Sequence, residues 1–125
     1  MNTCTFEYRY RDAGNWKTDD AVILSGEVDT LLIEAIRGSL EAGELFVPEQ
    51  VGLAPLHYKH FLNHKCSHDD DLDHAFHEFI GVRSFNPAED TKHEILATTL
   101  ESLADRFKAA MTQGWNIALS PFGER

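Results

Sequence analysis

The chain is poor in cysteine, proline and basic side chains, and each scarcity removes a class of protein. Two cysteines in 125 residues, Cys4 and Cys66, cannot build the disulfide framework of a small secreted domain. A cytoplasmic protein with reduced thiols is expected. No apolar run approaches the ~20 residues that cross a bilayer, so no membrane partner is expected. The opening stretch Met1 to Tyr8 lacks the basic start and apolar middle of a signal peptide. Eleven Lys and Arg against 21 Asp and Glu leave a net charge of -10. Arg9 and Arg11 are the nearest approach to a basic cluster, so direct nucleic-acid binding is not expected, because phosphates are neutralised by grouped cations.

Catalytic signatures are also missing. There is no C-x-x-C, no P-loop, no G-x-G-x-x-G and no G-x-S-x-G, which leaves nucleotide-driven and serine-hydrolase chemistry without support. His77-Glu78 and His93-Glu94 each begin like a zincin helix, but Gly81 and Ala97 stand where the second histidine belongs. Asp69-x-Asp71-x-Asp73 begins like a calcium loop. His74 then occupies its glycine position and Ile80 its bidentate glutamate position.

What the chain does have is histidine, concentrated in one place. Six of its seven histidines lie between His57 and His77, together with Cys66 and the run Asp69, Asp70, Asp71 and Asp73. Imidazole, thiolate and carboxylate are the donors that hold zinc and other divalent transition metals. They also move protons near neutral pH. A helix over Leu56 to His68 places His57, His60, His64 and His68 on one face, at steps of three, four and four. With His74 and His77 they form the candidate metal set, in which two of the four and a residue from His74 to Glu78 would complete a tetrahedral site. The candidate catalytic groups are His74, His77, Glu78 and Cys66. Glu78 is either a buried general acid-base partner for His74 or half of a salt bridge to Arg9, Arg11 or Arg83. The spacing matches no standard zinc template, and a solvated histidine-rich loop is the plainer alternative. Protonating all seven histidines takes the charge from -10 to -10 + 7 = -3, so surface electrostatics are expected to weaken as pH falls through ~6.5.

Periodicity supplies the fold. Thr5 to Arg11 alternates, with Phe6, Tyr8 and Tyr10 on one face and Glu7, Arg9 and Arg11 on the other, which is a half-buried strand. Asp12 to Asn15 is a turn, and Ala21 to Leu24 returns as a second strand after a loose connection through Lys17 to Asp20. From Asp29, a suitable N-cap, Leu31, Leu32, Ala35, Ile36 and Leu40 recur at helical spacing, with Gly43 as the expected stop. Glu44 to Val47 reads as a short strand confined to an edge by Pro48. The Leu56–His68 helix is expected to carry Tyr58 and Leu62 on one face. His74 to Phe85 reads as a strand with Phe76, Glu78, Ile80 and Val82 to one side. Ile95, Leu96, Leu100, Leu103, Phe107 and Met111 form one helical stripe ended by Gly114, after which Trp115 folds back. The expectation is a single α+β domain over 1–125: a largely antiparallel sheet with two helices on one face and a loosely packed tail over 118–125. Phe6, Tyr8, Tyr10 and Trp16 are expected to be packing residues, not a stacking platform for bases.

Three stretches carry a resemblance. Phe6 to Lys17, Gly43 to Leu53 and His74 to Phe79 resemble a group of small bacterial hypothetical proteins with YRYRDxGNxK, GExFxPEQVGL and HxxHEF segments. The resemblance covers about the first 85 residues and implies a shared fold with no known activity. The sequence therefore points to a non-catalytic acidic domain that binds a protein with a basic surface. The competing expectation is a metal-binding protein or metal-dependent hydrolase centred on the histidines.

Overall fold

The computed structural model describes residues 2–123. It is an α+β domain built on one five-stranded sheet. Its elements are β1 (Thr3–Arg11), β2 (Lys17–Ser25), α1 (Thr30–Gly38), β3 (Leu45–Phe46), α2 (His57–His64), β4 (His77–Ser84), β5 (Glu94–Thr99) and α3 (Leu100–Gln113). The spatial order is β3-β4-β1-β2-β5. Three neighbouring pairs are antiparallel, but β5 runs parallel to β2, so the sheet is mixed.

The β1–β2 hairpin is longer than its apolar residues suggest. Pairing runs unbroken from Thr3 opposite Ser25 to Arg11 opposite Lys17. The segment expected as a loose connection is strand, because the Arg9 guanidinium meets Asp19 across the pair at 2.5 Å on the solvent side. Asn15 takes the left-handed conformation (φ 71°) that the tight turn requires.

On the other face Cys4, Phe6, Tyr8 and Tyr10 are all buried. Helices α1 and α3 cover the Phe6 end, where Phe6 and Phe46 pack on Phe107. Helix α2 covers the Tyr10 end, with His57 and His60 against its ring. Three helices therefore meet the sheet, not two.

Three helix boundaries differ from the periodic reading, each for a local reason; α2 ends at His64 and not His68, where Lys65 turns left-handed (φ 53°). Asp29 caps α1 by accepting from Leu31 and Leu32, as expected. The helix stops at Gly38 and not Gly43, since Ser39 caps it and its hydroxyl donates back to Ala35. Leu40 is still buried, but from the following turn. The C-terminal stripe is split in two. Glu94–Thr99 is strand, and α3 begins only at Leu100, with Thr99 accepting from the Ser102 amide. Leu100, Leu103 and Phe107 are core, whereas Ile95 and Met111 are exposed.

Strand β4 departs from simple alternation. A register irregularity at Glu7/Tyr8 leaves Ile80 without a β1 partner. His77 and Phe79 face the core before it, Val82 packs on the core after it, and Arg83 turns outward. There the Arg83 guanidinium grips Asp90 at 2.7 Å through both terminal nitrogens, while Thr5 and the Asn86 amide also donate to that carboxylate. These bonds fold the 86–93 segment over the second face of the sheet and hold the Asp90 carboxyl far below the usual range. At the C-terminus, Ser120 and Phe122 are buried, with the Phe122 ring 4.4 Å from that of His57. That contact anchors part of the expected loose tail; Glu124 and Arg125 lie outside the described residues. Among the described residues no helix is long and apolar enough to cross a membrane.

Candidate functional site

The face of α2 that enters the protein is its histidine face. His57 and His60 are fully buried, whereas Tyr58 and Leu62 are 64% and 80% exposed, the reverse of what apolar periodicity implies. The inversion follows from what lies beneath. Under α2 lie Tyr10 of β1, Asp12 of the turn and Thr18 of β2, and the last two are polar groups that the His60 imidazole satisfies and a leucine would strand.

Tyr10 is the centre of this layer. Its ring centroid lies 4.6 Å from that of His57, 4.9 Å from His60, 5.3 Å from His74 and 5.1 Å from His77. Its hydroxyl donates to Asp73 Oδ1 at 2.7 Å and accepts from the His74 amide at 3.2 Å. Burial, reinforced by the bond to Asp73, pushes the phenol pKa well above its ordinary range.

The histidines of the cluster are occupied by the chain itself. His60 Nε2 meets Asp12 Oδ2 at 3.0 Å and its Nδ1 meets Thr18 Oγ1 at 2.8 Å. Desolvation pushes Asp12 up, but the bonds from His60 and the Trp16 amide outweigh it and leave the carboxyl below its usual value. His77 Nδ1–H donates to the Ala75 carbonyl, and its Nε2 accepts from the Leu56 amide at 2.9 Å. Burial and the neighbouring His57 hold His77 neutral, down to about 3. His74 donates from Nε2 to the Arg11 carbonyl and accepts at Nδ1 from the Phe76 amide. His64 donates to the Lys17 carbonyl, and His68 lies between Asp70 and Asp73.

His57 is the partial exception. Nε2 donates to the His74 carbonyl at 2.7 Å, but Nδ1 is buried without a partner among the described residues. Burial lowers its pKa. A metal requires free lone pairs converging on a point. Here a lone pair at His74 and at His77 already accepts an amide, and a single unpaired nitrogen at His57 does not make a site. Among the described residues no three His, Cys, Asp or Glu side chains are disposed to hold a metal.

The Asp12–His60–Thr18 chain has the order of an orienting carboxylate, a base and a hydroxyl. Thr18 is 3% exposed and His60 is fully buried, so no substrate reaches the hydroxyl. Of the other candidates, Glu78 lies on the opposite face of β4 from His77, where Arg11 Nε donates to it at 2.7 Å. It is the salt-bridge alternative that the structure realises. Cys66 is exposed and lines a groove of about 300 Å³ with Asp12, His68, Asp69 and Leu72. Asp69 and Asp73 cap amides of their own loop, Asp69 accepting from Asp71 and Asp73 accepting from Asp69.

Sequence reasoning passed over the more open region. His93 stands 3.7 Å from Asp20 and 3.6 Å from Asp90, too far for a hydrogen bond to either. It borders a cleft of about 260 Å³ between β2, α2 and the start of β5, where Lys59 pairs with Asp20. At the other end of β5 lies a hollow of about 490 Å³, bordered by the carboxylates Glu27, Asp29 and Glu101. The available signal was the short run Glu94-Ile95-Leu96-Ala97-Thr98-Thr99, whose paired threonines favour strand over helix.

No protein-family model, curated protein or solved structure matches this chain.

Proposed function

We propose that the protein is a small acidic interaction domain that acts by binding a partner protein with a basic surface. One observation carries this reading. The side chains with chemical potential are spent on the fold, because His57 and His60 on α2 and His77 on β4 are fully buried and bonded to backbone, Asp12 and Thr18. What remains is a net charge of -10 over the chain and a set of uncovered apolar side chains that includes Trp16, Tyr58, Leu62 and Ile95. A field of one sign attracts oppositely charged partners and speeds their encounter. With both cysteines free, the reading places the domain in the cytoplasm. Membership of a group of small bacterial proteins built on the same hairpin and HxxHEF segments is part of the same proposal.

The reading predicts that immobilised protein retains basic proteins at low ionic strength. Each captured protein, once purified, should associate more slowly as salt rises, because the screening length falls from ~10 Å at 0.1 M to ~3 Å at 1 M. Association rates that do not change with salt would overturn it.

A further inference from the structure

The two edges of the sheet are treated differently. Strand β3 is two residues long and runs into Pro48, so it offers almost no free backbone. Strand β5 is six residues long and contains no proline, glycine or lysine. Beyond its pairing with β2, no amide or carbonyl of Ile95 to Thr98 bonds to anything among the described residues. Its side chains divide by face: Leu96 leans on the core, while Ile95 on the other face is 78% exposed. An uncovered edge whose one charged side chain, Glu94, stands at its start and whose isoleucine is exposed is a template for another strand.

We propose that the free edge of β5 accepts an extended, basic segment of a partner protein as a sixth strand of the sheet. The inference rests on the interaction reading above and gives it a place. Charge selects the occupant. The hollow beside Thr99 is bordered by Glu27, Asp29 and Glu101 and by no basic side chain. The cleft at the Glu94 end is balanced, since Lys59 and Lys92 face Asp20 and Glu94 there. A second copy carries the same -10 and brings no cation to the hollow, so self-pairing is disfavoured. The register irregularity between Ile95 and Thr99, where four steps of β5 pass two of β2, brings Ile95 nearer the hollow than a regular strand would. The matching segment therefore has a Lys or Arg to lie over the hollow and, within a few residues of it, an apolar side chain to cover Ile95.

The test uses the capped peptide acetyl-Thr-Lys-Thr-Thr-Thr-Val-Thr-amide titrated into the isotope-labelled full chain, with backbone amide shifts as the readout. Shifts are expected in Glu94–Thr99 and around Glu27 to Asp29. They should weaken about tenfold when glutamate replaces the peptide lysine, because attraction to the hollow becomes repulsion. A bound strand uses one of its two edges, so N-methylation of one alternate set of peptide amides should abolish the shifts and methylation of the other set should not. Ile95→Ser should weaken binding in a protein that folds normally. If both methylated peptides bind like the parent, strand pairing is overturned. Shifts confined to Asp69–Asp73 overturn the site and leave the acidic-interaction reading standing. Concentration-dependent shifts in Glu94–Thr99 without peptide give the edge to a second copy instead. An absence of shifts at any peptide concentration also overturns the proposal, while salt-sensitive capture of basic proteins would still support the broader reading.

Discussion

The layer around Tyr10 and the edge at β5 are opposites in both sequence and structure. The first is dense in chemically capable side chains and is closed. Four histidine rings surround one tyrosine, and their nitrogens, His57 Nδ1 excepted, are bonded to carbonyls, amides, a carboxylate and a hydroxyl. The second is chemically bland and open, with an exposed isoleucine and unpaired backbone. Reactivity of residue types is therefore a poor guide here to where the molecule meets others. Unsatisfied, accessible groups are a better one, because buried polar groups must be satisfied internally and have nothing left to offer.

The largest expected effect tests whether the histidine layer is structural. His77→Ala removes the acceptor of the Leu56 amide and the donor to Ala75, and opens a cavity beside Tyr8, Tyr10 and His57. A loss of about 3–5 kcal/mol is expected in chemical denaturation. A variant as stable as wild type would break the comparison.

Acid provides the next test, with a definite sign. The folded pKa of His77 is about 3, below the ~6.5 of an unfolded chain, so the unfolded state binds more protons between those values. Stability should therefore rise with pH across that window and fall on acidification from ~6.5 towards ~3, by up to ~1.4 kcal/mol per pH unit from this residue. His57, also lowered by burial, adds to the same slope. His77 stays neutral near pH 6.5 in the folded protein, so the net charge does not reach the -3 of seven protonated histidines there. Asp90 acts lower still. Its depressed pKa contributes stability above the unfolded value of ~4 and loses it as pH falls further. Denaturation curves that superimpose at pH 7 and pH 4.5 would contradict the buried, neutral histidines.

The smallest effect sharpens the other side of the contrast. Ile95→Ser should change folding stability by no more than about 0.5 kcal/mol, as exposed substitutions do. A cost of several kcal/mol would mean that the edge is covered and belongs with the core.

The parts of this fold that were legible in the sequence are those specified locally. Alternation gave β1, Asp29 gave the start of α1, and Gly114, with a φ of 90°, gave the end of α3. Leu103 and Phe107 were readable as core because α3 is one uninterrupted amphipathic helix. The face of α2 was not legible, since it depends on Asp12 and Thr18, which meet His60 from 48 and 42 residues away. Nor was the split at Thr99. Leu96, Leu100, Leu103 and Phe107 keep helical spacing across the boundary, and against it stand only the paired threonines and the cap that Thr99 forms on Ser102. The candidate site divides the same way. Clustering in sequence did bring His57, His60, His74 and His77 together, but their burial and their partners follow from long-range pairing that a local reading does not contain.

The parallel docking of β5 has a consequence for the order in which the protein assembles. Arg11 and Lys17 pair across six residues, whereas Val22 and Glu94 pair across 72, the differences of their sequence positions. Closing the longer loop from an unfolded chain costs about 2 kcal/mol more entropy, by the logarithmic dependence on length. The hairpin can therefore nucleate by itself, while β5 must await a largely formed sheet. A strand that joins late and is held on one side has few contacts to resist fraying. An incoming segment that pairs with its free side would supply the second ladder, so that partner association and completion of the sheet become a single event.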